Sequence, residues 1–382
     1  MNMNEQMKES EESILHTYNR FPVVFEKGQG CYLYDSEGKE YLDFAAGIAV
    51  NSLGYHYPGY DEALKDQIDK LMHISNLYYN EPIIEAGAKL VKASKMSKAF
   101  FTNSGTEAIE GALKAAKKYA YVRDGHADHE IIAMNHSFHG RSIGALSVTG
   151  TAHYREPFEP LMGGVKFADF NNLESVKAQI TDKTCAIITE VVQGEGGIYP
   201  AKKEFLEGLR QICDEKDIML IFDEIQCGMG RTGHYFAWQA YGVQPDIMTS
   251  AKALGCGVPV GAFVLSEKAA KASLEPGDHG TTYGGNPFVC AAVSKVFDIY
   301  ENDKIIEHVQ EMTPYLEQKL DEIVAKHECA ATRRGMGFMQ GIVIQGRPVG
   351  EVVKAALAKG LLVISAGSDV LRIVPPLVIT KE

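Results

Sequence analysis

Two adjacent carboxylates end an apolar stretch of the sequence, and a glycine-rich segment follows them. In "IMLIFDEIQCGMGRTG", residues 218–233, Asp223 and Glu224 come directly after the apolar residues. The glycines that follow have the G-x-G-x-x-G spacing of a dinucleotide-binding fingerprint. The glycines therefore favour a dinucleotide-dependent oxidoreductase, whereas an acid at the end of a buried strand is typical of a different kind of cofactor or catalytic site.

The dinucleotide interpretation fits the sequence poorly. The residues "DEIQC" separate the apolar stretch from Gly228, whereas the fingerprint should follow a strand directly and open a helix. No well-capped helix is predicted after Gly233, and Asp246, 18 residues beyond Gly228, matches the expected acid only loosely. We expect instead that these glycines let a loop turn tightly.

A lysine lies 29 residues after Asp223, in "DIMTSAKALGCGVPVG". Lys252 follows an apolar strand, where desolvation lowers the pKa of an amine and makes it a better nucleophile. Taken alone, Lys252 could equally extend its amine to solvent, and Asp223 could be a cap or part of a core ion pair. Together they match pyridoxal 5'-phosphate, which bonds to a lysine and needs an acid at its pyridinium nitrogen.

A phosphate site is predicted at the start of the helix in "TNSGTEAIEGALKAAKKYA". Ser104 is expected to cap this helix, with Glu107 completing a capping box. Gly105 and Thr106 would then present backbone N–H groups to an anion, which the helix dipole also favours. An ordinary helix cap explains the same residues.

Short apolar runs alternate with helical patterns through the middle of the chain, which predicts an α/β fold with a mostly parallel central sheet flanked by helices. The runs end in polar residues, among them Asn103, His136, Glu190 and Asp223. Ligands bind at the carboxyl ends of such strands, so we expect these side chains to converge. A hairpin turning at residues 36–38 and a long helix over 301–327 predict a smaller α+β domain. We assign 56–297 to the large domain and 1–55 with 298–382 to the small one.

Composition excludes several classes of protein. The net charge of −12 and pI of about 5.5 make a broad basic face for nucleic acid improbable. Seven widely spaced cysteines without a C-x-x-C argue against a disulfide framework or zinc site. No metal is expected, because His136 and His139 lack a third ligand nearby and His126 and His129 are expected on an exposed loop. No membrane-spanning or signal segment is predicted, so we expect a cytoplasmic protein.

Six motifs occur in an order that resembles the class III pyridoxal-phosphate aminotransferases of fold type I: "SGTEA", "FHGRS", "EVVQGEGG", "FDEIQCGMGRTG", "TSAKALG" and "HGTTYGGNP". The resemblance covers essentially the whole chain. It implies a large cofactor-binding domain, a small domain built from both chain ends, and a final helix that is missing after "VPPLVITKE". It also places glycine in the family where this chain has Cys256.

The resemblance implies roles for individual residues. Lys252 and Asp223 are the expected catalytic residues, and the expected cofactor-binding residues are Ser104, Gly105, Thr106, Phe138, Asp223, Gln226, Lys252 and Thr282. Phe138 would stack on the cofactor ring, and Gln226 would contact its phenolic oxygen. Thr282 would reach the phosphate in a neighbouring subunit, with Thr281 near substrate, which implies a homodimer with shared sites.

The resemblance also implies amino- and keto-acid substrates whose carboxylates must be bound. Arg141 and Arg372 are the candidates, because guanidinium binds carboxylate in a bidentate fork. An acid at the position of Glu190 is expected to pair with Arg372 and release it for one of two substrates. The expected reaction transfers an amino group from N-acetylornithine to 2-oxoglutarate. Ornithine, succinylornithine, succinyl-diaminopimelate and 4-aminobutyrate are alternative donors, and a non-catalytic regulatory protein on the same fold is a further alternative.

Overall fold

A computed structural model describes residues 2–382. The helices are α1 (Met3–Ser13), α2 (Ala46–Ala49), α3 (Tyr60–Lys70), α4 (Glu81–Ser94), α5 (Gly105–Asp124), α6 (Ile143–Ser147), α7 (Ala152–Arg155), α8 (Leu173–Gln179), α9 (Lys203–Lys216), α10 (Trp238–Tyr241), α11 (Glu267–Lys271), α12 (Pro287–Asn302), α13 (Ile305–Lys326) and α14 (Val349–Ala358). The strands are β1 (Phe25–Gln29), β2 (Tyr32–Asp35), β3 (Glu40–Asp43), β4 (Lys98–Thr102), β5 (Glu130–Met134), β6 (Val165–Ala168), β7 (Thr184–Glu190), β8 (Val192–Gln193), β9 (Tyr199–Pro200), β10 (Met219–Asp223), β11 (Ile247–Ser250), β12 (Gly261–Leu265), β13 (Ala330–Met336), β14 (Met339–Ile344), β15 (Leu361–Leu362), β16 (Ile364–Ala366) and β17 (Val370–Ile373).

The central sheet has the order β4-β12-β11-β10-β7-β5-β6. Its strands pair in parallel from β11 to β6, and only β12 runs antiparallel to its neighbours among the described residues. Strands β7, β10 and β11 are buried along their whole length, which explains why they are continuous apolar runs rather than alternating patterns. The predicted α/β fold with a mostly parallel sheet is confirmed.

Two smaller sheets lie outside the central one and use both ends of the chain. One has the order β1-β2-β3-β15, in which β15 pairs in parallel with β3. The other has the order β13-β14-β17-β16. Because β3 and β15 are neighbours, the N-terminal and C-terminal segments meet, as the smaller domain requires. The boundaries at residues 56 and 297 stay predictions.

Helix α5 lies against the central sheet and positions its own first turn beside the strand ends. A Cβ on Gly111 would stand 2.2 Å from the Phe263 ring, so glycine lets the helix approach β12 closely. The Ser104 side chain accepts a hydrogen bond from the backbone N–H of Glu107, as predicted. The predicted capping box is only half formed, because the Glu107 carboxylate accepts from Asn103 instead, at 2.7 Å from its backbone nitrogen.

Several local predictions are met and one needs correction. The hairpin of β2 and β3 turns at Gly38, which has a φ of +85°. The buried face of α9 consists of Phe205, Leu206, Leu209, Ile212 and Cys213. The helix predicted over 301–327 is α13, which begins later than predicted, at Ile305, because α12 ends at Asn302 and Lys304 has a φ of +54°. No helix within residues 2–382 is long and apolar enough to cross a membrane.

Candidate active site

A cavity of about 500 Å³ opens at the carboxyl ends of the central strands. It is lined by β4–α5 loop residues, the segment after β5, the ends of β7 and β10, and the segment after β11. The predicted site residues in its wall are Ser104, Gly105, Thr106, Phe138, Arg141, Glu190, Asp223, Gln226 and Lys252. The sheet therefore brings together residues that are up to 148 positions apart in the chain, between Ser104 and Lys252.

Asp223 is the last residue of β10 and is buried in the cavity wall. One carboxylate oxygen accepts from the Ile225 backbone N–H at 2.9 Å and lies 3.3 Å from the Thr249 hydroxyl. The other lies 2.7 Å from Nδ1 of His139, which is itself buried. These contacts fix the orientation of the carboxylate. The sequence suggests His139 only as a possible metal ligand, although its position one residue after Phe138 points to the cofactor site.

The neighbouring Glu224 serves the loop rather than the cavity. Its two carboxylate oxygens accept from the backbone N–H groups of Ala237 and Trp238, both at 2.8 Å. Burial raises the pKa of this carboxyl to about 7. The two carboxylates that end the strand thus have different partners, because successive side chains on a strand point to opposite faces.

Lys252 begins a short 3-10 helix directly after β11 and lies in the cavity wall. Its φ is +48°, an uncommon conformation for a non-glycine residue. Desolvation lowers the pKa of its amine to about 8, although Glu195 and Asp223 oppose this shift. A neutral, nucleophilic amine is therefore accessible near neutral pH, as predicted from the apolar surroundings.

The first turn of α5 presents its N-terminus to the cavity. Gly105 leaves room for Ile225, whose side chain lies 2.9 Å from where a Cβ would stand. The Thr106 hydroxyl lies 2.7 Å from that of Ser142, which in turn donates to Glu110 at 2.6 Å. This network holds the helix N-terminus in a fixed position relative to the segment after β5, where an anion would bind.

Arg372, on β17, is buried and pairs with Glu195. The two Nη atoms lie 2.5 Å and 3.3 Å from the two carboxylate oxygens, and Nη1 also donates to Gln226 at 3.1 Å. The predicted pair of Glu190 with Arg372 is therefore wrong, and Glu195 forms it. The sequence signal was present, since Glu195 is the second acid of the "EVVQGEGG" motif five residues on.

Among the described residues 2–382, the Glu190 side chain accepts hydrogen bonds only from backbone groups. Its carboxylate lies 3.1 Å from the Gly194 nitrogen and 3.3 Å from that of Phe138. Burial raises the pKa of Glu190 well above its usual range, and the nearby Asp223 adds to the effect. Glu195 differs: burial raises its pKa, but Arg372 outweighs this, and the net shift is downward. Glu190 thus supports the loop that carries Glu195, and its predicted role toward substrate stays untested.

Arg141 lies in the cavity wall, whereas Thr281 and Thr282 do not line the cavity. The Arg141 guanidinium lies 4.0 Å from the centre of the Tyr154 ring and 5.4 Å from that of Phe138. Thr281 accepts from Asn103 at 3.3 Å, whereas Thr282 is exposed and does not line this cavity. The positions of Thr281 and Thr282 are compatible with their predicted roles but do not test those roles.

The glycine loop and Cys256 are structural. The loop after Asp223 opens no helix of dinucleotide-binding length, since α10 spans only Trp238–Tyr241, and Asp246 binds Arg210 and the Leu220 N–H. Cys256 has a φ of +45°, a conformation that glycine adopts readily. Its sulfur accepts from the Leu53 N–H at 3.3 Å, beside the lysine segment.

A separate group of possible ligands, Asp124, His126 and His129, lies after α5. His126 is exposed as predicted, but His129 is buried, which corrects the expectation of an exposed loop. The two imidazole rings stack at 4.6 Å with an angle of 17° between their planes. His129 also lies 2.9 Å from Asp124, so the existing contacts explain the cluster.

The cavity fits pyridoxal phosphate. It joins a buried carboxylate with a fixed orientation, a desolvated amine and a helix N-terminus. These are the acid, amine and anion site that the pyridinium nitrogen, the aldehyde and the phosphate need. Asp223, Lys252, and Gly105 with Thr106 would hold these three groups.

Comparisons with known proteins agree with this geometry. Residues 14–382 match the family model described as aminotransferase class-III. This chain belongs to the class-III aminotransferases. An acetylornithine aminotransferase of Clostridium acetobutylicum is 48% identical over 374 residues, which cover 98% of this chain and 96% of that protein. A succinylornithine transaminase of Yersinia pseudotuberculosis is 44% identical, over 97% of this chain and 92% of its own.

Among solved structures, an ornithine aminotransferase of Toxoplasma gondii superposes with a TM-score of 0.95 at 29% identity, covering 100% of this chain and 91% of that one. Another structure of that enzyme reveals partial occupancy of pyridoxal phosphate at its active site. The family resemblance deduced from the six motifs is confirmed, and this class-III aminotransferase has the fold expected from it. Amino-group transfer between small molecules is the chemistry of the family.

Proposed function

We propose that this aminotransferase uses pyridoxal 5'-phosphate to transfer the amino group of N-acetylornithine to 2-oxoglutarate. The products would be N-acetylglutamate 5-semialdehyde and glutamate. The observation that carries the proposal is Glu195, which lines the cavity together with Lys252 and Asp223 and is paired there with the buried Arg372. The names of the curated relatives support N-acetylornithine as the donor.

When bound, pyridoxal phosphate supplies an electron sink for the carbanion that forms on the substrate carbon. Asp223 would pair with the ring nitrogen, and His139 keeps that carboxylate in place. Lys252 holds the cofactor and then acts as a base, because its lowered pKa leaves a fraction of the amine neutral. The buried wall excludes water from these steps.

The two substrates differ in how many carboxylates they present. N-acetylornithine has one carboxylate, on the carbon far from its reacting amine, and Arg141 in the cavity wall is placed to bind it. In 2-oxoglutarate the reacting carbon carries a carboxylate of its own, which needs a second cation. Glu195 neutralises Arg372 during the donor reaction and releases it for 2-oxoglutarate, so one cavity accepts both.

A donor panel tests the proposal. The absorbance of the bound cofactor is recorded before and after adding N-acetylornithine, N-succinylornithine, ornithine or 4-aminobutyrate. We expect the cofactor band to convert most efficiently with N-acetylornithine. If the cofactor band converts only with another donor, that donor would take the place of N-acetylornithine in the proposal, and the assignment of amino-group transfer would stand. A protein that neither binds the cofactor nor transfers an amino group would refute the proposal altogether.

A homodimer is also proposed. The segment before α4 exposes large apolar side chains, with Leu77 88% and Tyr79 95% exposed, and Tyr283 is 63% exposed beside Thr282. Such a patch is costly in water, and a second copy of this chain would cover it. The resemblance supports the same arrangement, in which Thr282 serves the neighbouring site. Light scattering checks the mass, and Tyr79→Glu is expected to give monomers that bind the cofactor weakly. Dimers that persist in this variant would contradict the assignment of the interface.

A further inference from the structure

The glycine loop of residues 228–233 contains an arginine that the proposed chemistry does not use. Arg231 is only 1% exposed and is among the largest fully buried side chains. It forms no ion pair within residues 2–382, and burial lowers the pKa of its guanidinium to about 10. Its Nε and Nη2 atoms have no hydrogen-bond partner among the described residues. A buried cation without an acid is expensive, so its contacts require an explanation.

The side chain of Arg231 hydrogen-bonds to the segments that flank β14 and β17, the strand pair that carries Arg372. Its Nη1 donates to the carbonyl of Phe338, at 3.3 Å, and to the carbonyl of Pro375. The Phe338 N–H in turn donates to the Arg231 carbonyl at 2.8 Å. Phe338 directly precedes β14, and Pro375 is three residues after Arg372 in the chain.

Because of the strand register, these contacts restrict the position of Arg372. Gly341 of β14 pairs with Arg372 of β17, and the adjoining Gln340 pairs with Ile373. Because β14 and β17 are antiparallel, the start of β14 and the end of β17 lie at the same end of the pair. The single nitrogen of Arg231 therefore joins Phe338 to Pro375, each three residues from the Gly341–Arg372 pair along its own segment. Gly337 makes the close approach possible, since a Cβ there would stand 2.6 Å from the Thr232 Cα.

The other end of the loop is fixed to the strand that carries Asp223. Glu224 receives the backbone N–H groups of Ala237 and Trp238, and its own N–H donates to the Thr249 carbonyl at 3.0 Å. The loop thus connects two rigid contacts. One is to β10, beside Asp223, and the other is to the sheet of Arg372.

We propose that Arg231 is a positioning residue that sets the location of Arg372 relative to Lys252 and Asp223, and thereby the affinity for the second carboxylate of the acceptor. This inference rests on the proposed function, because it assigns Arg372 to 2-oxoglutarate. Arg231 touches no substrate atom. It acts by holding the ends of β14 and β17 against the loop, so its loss shifts Arg372 without removing any group from the cavity.

The test compares Arg231→Met with Arg333→Met as a matched control. Arg333 lies on β13 of the same sheet, binds Asp321 and Glu317 on α13, and donates to the Gln340 side chain of β14 at 3.0 Å. Within residues 2–382 its side chain makes no hydrogen bond to β17 or to Pro375, so it does not join the two strands as Arg231 does. Calorimetry gives the Kd for 2-oxoglutarate, with and without cofactor, and stopped-flow absorbance gives the rate of the donor half-reaction. Melting curves report folding. Arg231→Lys, which keeps the charge but not the geometry of a planar fork, is measured in parallel.

We expect Arg231→Met to weaken 2-oxoglutarate binding by roughly ten- to hundredfold, because a shift of about 1 Å in a binding group has effects of this order. The donor half-reaction should change by less than about twofold, and Arg333→Met should change neither. An unchanged Kd, or an equal loss in both half-reactions, would overturn the inference. If Arg231→Met does not fold, Arg231→Lys decides by the same comparison.

The proposed function can fail separately. A wild-type protein that binds 2-oxoglutarate but takes no amino group from N-acetylornithine would refute the donor assignment. The Kd comparison would still stand, because it requires only that the dicarboxylate bind.

Discussion

Replacing Glu195 by glutamine should leave Arg372 without its carboxylate partner and so permanently able to bind a substrate carboxylate. Glu195 holds Arg372 through two contacts, at 2.5 Å and 3.3 Å, and Arg372 is only 3% exposed. An incoming carboxylate must displace this partner before it binds the guanidinium. In Glu195→Gln the competing charge is gone, while Gln226 and the Ser365 carbonyl still orient the arginine at 3.1 Å each.

The magnitude follows from the contact that is lost. A hydrogen bond to a charged group contributes about 1.5–3 kcal/mol net, and each 1.36 kcal/mol is a factor of ten. The Kd for 2-oxoglutarate should therefore fall by roughly ten- to hundredfold. The donor half-reaction should slow, because an open Arg372 also attracts the single carboxylate of N-acetylornithine and places it in the wrong orientation.

Calorimetry with 2-oxoglutarate and single-turnover absorbance with N-acetylornithine measure the two effects. Glu317→Gln is the control, since Glu317 pairs with Arg333 at 3.2 Å, outside the cavity wall. If Glu195→Gln bound 2-oxoglutarate no more tightly than the wild type, the pair would not be the barrier to the acceptor. Loss of both half-reactions together with a lower melting temperature would show instead that the pair mainly stabilises the fold.

Three further predictions concern the cofactor amine, the loop and the core. Lys252→Ala should lower turnover by about 10²–10⁴-fold, measured by glutamate formation, and near-normal activity would contradict its role as the base. Glu224 has a pKa raised to about 7 from 4.5, so the folded state binds the extra proton and the stability from this group falls as pH rises through that window. Urea unfolding of Glu224→Gln between pH 4.5 and 7 should therefore show a flatter pH dependence than the wild type, and an identical slope would disprove the assignment. Leu209→Ala, at a fully buried position of α9, should cost about 2–5 kcal/mol in the free energy of unfolding, whereas Gln211→Ala on the exposed face should cost less than about 0.5 kcal/mol.

The central sheet could be predicted because its strands have a local signature. Residues 184–190 and 219–223 are buried on both faces, so the residues inside each strand are mostly apolar, and such a run is visible without a structure. The polar residues that end these runs could also be recognised in the sequence, because they interrupt an apolar stretch. Their convergence on one cavity followed from parallel pairing, which places all carboxyl ends at one edge.

The start of the helix predicted over 301–327 was misplaced for an equally local reason. The helix is α13, Ile305–Lys326, and Lys304, with a φ of +54°, separates it from α12, which ends at Asn302. A single residue in a left-handed conformation leaves little trace in composition when it is not glycine or asparagine.

The sequence by itself determined the family, the mostly parallel sheet, and the lysine and aspartate of the cavity, because each is encoded in residues close together in the chain. Only the tertiary structure decided which acid meets Arg372. Glu190 and Glu195 are five residues apart, and both end or follow the same strand. The backbone N–H groups of Gly194 and Phe138 take the first, which leaves the second to reach an arginine 177 residues away. Such a pairing depends on how two sheets pack against each other, and no local sequence pattern shows which residues come together there.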